Sequence, residues 1–484
     1  MAAASTKTLA IRGATWATLG VGLQRAVQTL SVLILARLLV PEDFGLVAVA
    51  ILVLNLANRI KTLGLHTSLI QYHGEVKPAA DACFLINGAM TIATIGILVT
   101  ISPLVSKIFD PRAGLLLAIM SLRLIPQALA AVPTALAVKA LNFRKQALIQ
   151  VAEGLVSATV AVILALDGWG PWALVIGFLA GSIVGALLWW IRPGWTPSWR
   201  LDREAGARLI RSGIHIWSAG NLALFVDGAN RMFIGAFLGV TQLGFYEILG
   251  RVVHAPIQTL HGIHDRVAIS AFCREEDRER VGRWFLRLSG MLLILTSLIA
   301  GPILVFPDIL IPTLFGLGWE AAIEPARALS LFTLLAPLIS TAPVYIATRR
   351  TGLLLRFTAS RTIVTVAALF AAAHISLTTV CAVESVAAVV FAPINLYLVA
   401  GITGLGFRRI VSTMSVPLIG LGAFIATATS ARTLFPSTFA SPGAGPLFGL
   451  LLPSILALGL VVYAIRPHLI GELRSIIAES FGSR

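Results

Sequence analysis

The sequence predicts an all-α integral membrane protein with about 14 transmembrane helices, and three observations lead to this fold class. Of its 484 residues, 57% are hydrophobic and only 12% are charged, whereas soluble proteins carry about 25% charged residues. The mean hydropathy is +0.90. Apolar runs long enough to cross a hydrocarbon core of about 30 Å recur along the chain, and the basic residues lie mainly in alternate connections between these runs.

The apolar runs give the positions of the individual helices. We expect transmembrane helices near 15–39, 44–65, 80–105, 114–138, 147–167, 170–191, 210–238, 243–270, 286–306, 323–347, 358–378, 383–402, 413–433 and 446–465. The first two are joined by the short turn Pro41–Asp43. A helical hairpin fits here because each helix satisfies its own backbone hydrogen bonds in lipid.

The net charge of +15 follows the membrane topology. Basic pairs such as Arg59 and Lys61, or Arg144 and Lys145, lie in every second connection, which is the positive-inside pattern. We therefore expect a multi-pass membrane protein with both termini in the cytoplasm and no nucleic-acid partner. The last segment, 466–484, mixes apolar and charged residues and predicts an amphipathic helix on the inner surface.

An internal repeat divides the chain into halves. Ile210–Tyr246 aligns without a gap on Ile11–Val47 at an offset of 199 residues, and a basic start, a long apolar span, a short turn and a glycine match. Copies in the same orientation predict a parallel repeat about an axis normal to the membrane. The predicted organisation is an N-terminal six-helix lobe (1–191), a cytoplasmic linker (192–209), a C-terminal six-helix lobe (210–402), two additional helices (403–465) and a cytoplasmic tail (466–484).

Two motifs near the N-terminus resemble a known family. ARLLVPEDFGLVAVA (Ala36–Ala50) and LGLHTSLIQ (Leu63–Gln71) are similar to the N-terminal signature of polysaccharide transporters in the multidrug/oligosaccharidyl-lipid/polysaccharide exporter superfamily. Within this branch the match is to Wzx- and WzxC-like flippases. The resemblance covers about Ile11–Gln71. It implies two six-helix lobes around a central cavity and a non-enzymatic transporter that moves a lipid diphosphate-linked oligosaccharide to the outer leaflet.

The resemblance also implies the partners. These are the lipid-linked oligosaccharide, the membrane lipids and, as candidates, a polysaccharide polymerase and a chain-length regulator of surface polysaccharide assembly. Alternatives are a cation-coupled multidrug exporter, a membrane polysaccharide polymerase or ligase, and a structural scaffold. The first apolar run carries Arg25 and no acid, which favours an anionic cargo. No cofactor is expected, because the three cysteines are isolated and no metal-ligand cluster is present.

Arginines deep in apolar runs are candidate ligands for the diphosphate. Arg25 and Arg123 lie well inside the first and fourth runs, where charge is costly and usually functional. A guanidinium can bind phosphate through two parallel hydrogen bonds. The alternative is that each arginine pairs with a buried acid or carbonyl, such as Glu153, and only fixes helix packing.

The eighth run carries an ordered series of polar residues. Their spacing of 4, 3, 4, 3 and 4 puts them on one stripe of an α-helix. We expect this stripe to line the translocation route, and the alternative is an inter-helix hydrogen-bond network. The six residues are Glu247, Arg251, His254, Gln258, His261 and Asp265. In the seventh run, Asp227 and Arg231 are four residues apart and predict a helical ion pair, with a structural or coupling role.

Overall fold

The computed structural model describes residues 6–191, 194–200, 202–221, 224–275, 277–339, 341–439 and 442–465. Every regular element in these ranges is helical. The chain divides into two compact units, Met1–Gly244 and Phe245–Arg484, which we call the first and second unit. The predicted amphipathic tail, 466–484, lies outside the described residues.

The described residues of the first unit form ten helices and the start of an eleventh. They are α1 (Thr6–Leu38), α2 (Pro41–Thr62), α3 (Leu65–Gln71), α4 (Val76–Ile108), α5 (Pro111–Ser121), α6 (Leu124–Lys139), α7 (Phe143–Leu166), α8 (Pro171–Trp190), α9 (Arg203–Asn221), α10 (Leu224–Phe233) and α11 (Val240–Leu249). A π-helical turn, Ile234–Leu238, follows α10. Helix α7 packs against both α1 and α8, and α4 packs against α5 and α6.

The second unit continues from α11 through a π-helical turn, Gly250–His254, into the next helix. Its helices are α12 (Ala255–Phe272), α13 (Arg278–Val305), α14 (Pro307–Phe315), α15 (Ile323–Ile339), α16 (Ala342–Ala347), α17 (Thr351–Ala372), α18 (Leu377–Thr403), α19 (Phe407–Leu434) and α20 (Ala444–Ile465). Helix α15 packs against α13 and α18, and α19 packs against α13 and α20. Buried side chains such as Phe285, Leu293 and Phe424 fill the core of this unit.

Twelve helical segments of the described residues are long and apolar enough to cross a membrane. They coincide with twelve of the fourteen predicted spans, including the closely spaced pair 358–378 and 383–402. The spans predicted at 210–238 and 243–270 do not meet this measure. The first is divided among α9, α10 and a π turn, and the second carries the polar stripe. The all-α, multi-pass membrane fold is therefore confirmed, whereas the count of fourteen is not.

The predicted hairpin turn between α1 and α2 is closed by one carboxylate. Pro41 is the first residue of α2, where its missing N–H is not needed. The Val40 backbone N–H donates to Asp43 Oδ2 at 3.2 Å, which satisfies a donor at the helix start. The acid is supplied from within the helix itself, and only Leu39 and Val40 separate α1 from α2.

The two glycines that the repeat aligns lie in reciprocal contact. A Cβ atom on Gly45 would lie 1.7 Å from the Val240 carbonyl oxygen, and one on Gly244 would lie 1.8 Å from the Pro41 carbonyl oxygen. Gly45 is separated from Gly244, and Pro41 from Val240, by the repeat offset of 199 residues, so the contact brings matched positions together. Only glycine allows the backbones to approach this closely. This contact supports the alignment of the two copies.

Part of the predicted linker is held on the first unit by a buried acid. Asp81 on α4 is 3% exposed and accepts hydrogen bonds from Trp195 Nε1 at 3.1 Å and from the Ser198 backbone N–H at 3.2 Å. Trp195 itself is buried beside Phe84. Residues 194–200 therefore pack as part of the first unit.

Candidate functional site

The first unit contains a cavity of about 350 Å³ near one end of its helices. At this end α2, α6 and α8 finish and α4 and α7 begin. The cavity is lined by Asn58, Lys61, Thr62, Leu65, His66, Cys83, Asn87, Pro126, Gln127, Ala130, Ala131, Thr134, Gln146, Gln150, Glu153, Ser182, Gly185, Ala186 and Trp189. Its volume is at the lower end of the range for small-molecule sites.

More than half of the residues that line the cavity have polar side chains, and one face of α7 supplies three of them. Gln146, Gln150 and Glu153 are spaced 4 and 3 on α7, so they share a side of that helix. Glycines allow α8 to pack closely against α7, since a Cβ on Gly181 would lie 2.7 Å from the Glu153 carbonyl oxygen. This close packing fixes the polar face of α7 against α8 and directs it along the cavity wall.

Lys61 is the buried cation of the cavity. It is 3% exposed, and its Nζ donates to Thr91 Oγ1 at 3.1 Å. The Thr91 hydroxyl donates in turn to the Asn87 carbonyl oxygen at 2.6 Å. Among the described residues, Lys61 has no acidic side chain within ion-pair distance. A buried charge without a counter-ion costs free energy, so an anion that entered the cavity would be stabilised beside this lysine.

Four amide side chains of the wall keep their hydrogen-bonding groups unused. Asn58, Gln127, Gln146 and Gln150 line the cavity, and their side chains bond to no other described residue. Asn87 differs from them, because its Nδ2 donates to the Ala128 carbonyl oxygen at 3.4 Å. Each unused amide offers two donors and an acceptor.

His66 adds no charge to the cavity at neutral pH. It lies on the short helix α3, outside the membrane-spanning segments. Burial lowers the pKa of His66, although a hydrogen bond with the Ala131 backbone partly opposes this effect. The neutral ring leaves Lys61 as the buried cation facing the wall.

Arg123 and Glu153 lie close together, as expected if this arginine pairs with a buried acid. Arg123 lies in the break between α5 and α6. Its Nε donates to Ser182 Oγ at 2.7 Å, and its Nη2 lies 3.9 Å from Glu153 Oε1. The guanidinium also lies 5.2 Å from the centre of the Phe178 ring. Glu153 lines the cavity while Arg123 lies behind the wall. The roles predicted for both residues remain predictions.

Arg25 lies outside this cavity. It is exposed in the middle of α1, the helix that packs along α7. The proposed diphosphate role of Arg25 therefore stays a prediction that is separate from the cavity. The cavity was missed by reasoning from sequence, although the spacing of Gln146, Gln150 and Glu153 on an otherwise apolar helix was a visible signal.

The polar stripe of the second unit does not follow a regular α-helix. The π turn at Gly250–His254 interrupts it between Glu247 and Gln258, and a wider turn shifts the angular position of the residues beyond it. Arg251 and Gln258 are exposed, whereas Glu247, His254, His261 and Asp265 are partly buried. Asp265 Oδ1 lies 3.1 Å from His264 Nδ1. The role of this stripe in transport stays a prediction.

The predicted pair in the seventh run lies on α10. Arg231 is partly buried near the end of this helix, and the side chain of Asp227 lies outside the described residues. The pairing of the two residues therefore stays a prediction.

A buried acid in the second unit was not predicted from the sequence. Glu384 on α18 is 6% exposed. It accepts a hydrogen bond from the Tyr246 hydroxyl at 2.8 Å, and its Oε2 lies 3.8 Å from His254 Nε2. The His254 ring also packs on Phe332. A single acid within an apolar run was the available signal, but its partners are distant in sequence.

No group of three histidine, cysteine or acidic side chains that could hold a metal ion occurs among the residues the structure describes.

The chain is similar in sequence to transport and biosynthesis proteins of bacterial polysaccharides. It is 31% identical over 297 residues to the succinoglycan biosynthesis transport protein ExoT of Rhizobium meliloti (strain 1021), covering 60% of this chain and 56% of ExoT. It is 23% identical over 331 residues to the lipopolysaccharide biosynthesis protein WzxC of Escherichia coli (strain K12), covering 67% of each chain. The chain thus spans just over half the length of the first of these relatives.

The fold is similar to a solved membrane transporter. The lipid II flippase MurJ, in an inward closed conformation, matches with a TM-score of 0.69 at 12% identity, covering 94% of this chain and 99% of that one. At this identity the likeness shows the fold alone. The family model described as polysaccharide biosynthesis protein matches residues 34–324, and the resemblance predicted from the N-terminal motifs is confirmed. Because this match covers more than half of its length, the chain belongs to the polysaccharide biosynthesis protein family.

Proposed function

We propose that this protein is a flippase that moves a lipid diphosphate-linked oligosaccharide from the inner to the outer leaflet of the bacterial inner membrane, for assembly of a surface polysaccharide. The observation that carries this proposal is Lys61, a buried cation that faces a polar cavity and has no acidic partner among the described residues. A diphosphate is the anionic group of such a lipid, and it supplies the missing counter-charge.

Lys61 is suited to a phosphate group. A lysine ammonium binds phosphate as a point charge through its three donors, and Thr91 occupies one of them at 3.1 Å. Two donors therefore remain for phosphate oxygens. A cationic drug, the cargo of the alternative multidrug exporter, would meet a like charge here and would bind poorly.

The position of the cavity supports loading from the inner leaflet. Arg59, Lys139 and Arg144 lie at the same helix ends that enclose the cavity. By the positive-inside rule this end is cytoplasmic, which also assigns both termini to the cytoplasm. Lipid-linked sugars are assembled at that face, so a headgroup site that opens there is placed to receive them.

The names of the relatives agree with this cargo. ExoT is a transport protein of succinoglycan biosynthesis and WzxC is a lipopolysaccharide biosynthesis protein. The membrane fold and the family membership fit the same type of transport. In such a process the polymerase and chain-length regulator expected from the resemblance would act on the exported product.

The proposal is tested by Lys61→Met, which removes the charge and keeps the length of the side chain. In a strain deleted for the gene, we expect this variant to leave the lipid-linked oligosaccharide in the inner leaflet, as measured by accessibility to a periplasmic glycan-modifying enzyme. Binding of undecaprenyl diphosphate to the purified variant should be about 10- to 100-fold weaker, since hydrogen bonds to charged groups contribute about 1.5–3 kcal/mol.

A matched control is Lys107→Met. Lys107 is exposed near the opposite end of α4, and its loss should leave export and lipid binding unchanged. The melting temperature of Lys61→Met should be equal to or above that of the wild type, because the variant no longer buries an uncompensated charge. Normal export and normal lipid binding by Lys61→Met would contradict the proposal.

A further inference from the structure

We propose that the amide wall of the cavity is a carbohydrate subsite, which binds neutral hydroxyl groups of the sugar nearest the diphosphate. This inference rests on the proposed function, because it assigns Lys61 to the phosphate and the neighbouring wall to the sugar. The residues of the subsite are Asn58, Gln127, Gln146 and Gln150.

The four amides are partly buried along the cavity, and their side chains bond to no other described residue. Their donors and acceptors therefore stay available to a ligand or to water in the cavity. They come from three helices, α2, α6 and α7, and converge on one space. Convergence from separate helices is typical of a ligand site, whereas a packing network would bond its members to each other.

The cavity wall beside Lys61 is nearly neutral. The wall contains one acid, Glu153, which lies 3.9 Å from the Arg123 guanidinium. The arginine balances the carboxylate, so the wall beyond Lys61 has little net charge. Neutral amides that both donate and accept match sugar hydroxyl groups, which also do both.

The spacing of the amides along α7 fits the size of a sugar ring. Gln146 and Gln150 are about 6 Å apart along α7, at 1.5 Å per residue, a separation on the scale of one sugar ring. Gly185 of α8 packs beside Glu153, and Gly181 packs beside Ser157, so α7 and α8 run antiparallel. Trp189 therefore lies near the level of Gln150 and supplies an apolar surface beside the amides.

The volume limits how much of the headgroup enters. A cavity of about 350 Å³ is small for a lipid-linked oligosaccharide. Only the part of the glycan adjoining the phosphate can share this cavity with Lys61. The subsite would thus bind the sugar attached to the lipid and make no contact with the distal sugars.

The test compares two lipids on the purified full-length protein in nanodiscs. The first is undecaprenyl diphosphate, which has no sugar. The second is the lipid-linked oligosaccharide pool extracted from a strain that lacks this protein. The variants are Gln150→Leu, the double variant Gln146→Leu/Gln150→Leu, and Lys61→Met. Gln71→Leu is the control, because Gln71 is exposed on α3 and does not line the cavity.

We expect Gln150→Leu to weaken binding of the sugar-bearing lipid about 2- to 12-fold, since one hydrogen bond contributes about 0.5–1.5 kcal/mol, and the double variant to weaken it further. Both should bind undecaprenyl diphosphate like the wild type, and Gln71→Leu should bind both lipids normally. Equal loss for both lipids, or no loss for either, would overturn the carbohydrate subsite. If Lys61→Met bound undecaprenyl diphosphate normally, the phosphate site of the proposed function would fail instead, whatever the amide variants did.

Discussion

Amide side chains of the two units differ in whether they form hydrogen bonds within the protein. In the second unit, Asn395 is 0% exposed. Its Nδ2 donates to the Leu338 carbonyl oxygen and to Thr341 Oγ1, both at 2.8 Å, and its Oδ1 accepts from the Tyr345 hydroxyl at 2.8 Å. In the first unit, four amides of the cavity wall make no such bonds with described residues, namely Asn58, Gln127, Gln146 and Gln150. The same functional group therefore joins helices in one unit and faces a cavity in the other.

Buried charged groups of the two units differ in the same way: the one in the second unit has protein partners that could balance its charge, and the one in the first unit has none among the described residues. Glu384 of the second unit lies beside the Tyr246 hydroxyl and His254, whereas Lys61 of the first unit bonds only to Thr91 and has no acidic partner among the described residues. A polar group that is bonded within the protein specifies the packing of its helices. A polar group that has no protein partner beside a cavity adds little to the stability of the fold and stays available to a ligand, which is why the proposed headgroup site lies in the first unit.

The largest effect is expected for Asn395→Leu. This change removes every bond of the amide and leaves the buried Thr341 and Tyr345 hydroxyl groups and two carbonyl oxygens with fewer partners. Each such orphaned group costs about 1–3 kcal/mol, so we expect a melting temperature several degrees lower and a reduced yield of monodisperse protein. Gln150→Leu is the matched change in the first unit and should melt like the wild type. Equal melting of both variants would remove the distinction between the two kinds of amide.

The helices themselves could be predicted from the sequence because their positions follow from the long apolar runs. Long apolar runs must form helices in lipid, and the described structure contains twelve of the predicted spans. The hairpin at Pro41–Asp43 was also predictable, since proline and two acids suit a helix start. The π turns were not, because they depend on packing and leave no mark in the periodicity that defines an α-helical stripe.

The cavity could be predicted only in part. The spacing of Gln146, Gln150 and Glu153 puts them on one side of α7. The sequence does not reveal whether that side meets lipid, another helix or a cavity. That choice depends on Gly181 and Gly185, which bring α8 against α7, and on residues of α2 and α6 that are distant in the chain. The sequence indicates that Lys61 is a cytoplasmic topology signal, because it lies close to Arg59. Its burial depends on the packing of the helices and is not visible in the sequence.

A smaller effect is expected for Arg123→Met. This variant tests whether Arg123 is the ion-pair partner of a wall carboxylate or a cation that binds the ligand. The variant loses the bond to Ser182 Oγ and leaves Glu153 without the nearby guanidinium. Polar pairs between membrane helices contribute about 0.5–2 kcal/mol, so the melting temperature should fall modestly. The double variant Arg123→Met/Glu153→Gln should recover part of this loss. If Arg123→Met instead abolished undecaprenyl diphosphate binding at an unchanged melting temperature, Arg123 would join Lys61 as a ligand of the headgroup.

The smallest effect concerns pH and His66. Because burial lowers the pKa of His66 in the folded protein, the unfolded chain binds a proton first as the pH falls. The stability held by the neutral ring is therefore fully present above the unfolded pKa of about 6.5 and is lost below it. The wild type should melt at a lower temperature at pH 5.5 than at pH 7.5, and His66→Gln should show a smaller decrease. Other histidines titrate in both proteins, so the difference between the two curves isolates this ring. Identical curves would mean that His66 is as accessible to protons in the folded cavity as in the unfolded chain, and that the cavity gains a second cation in acid.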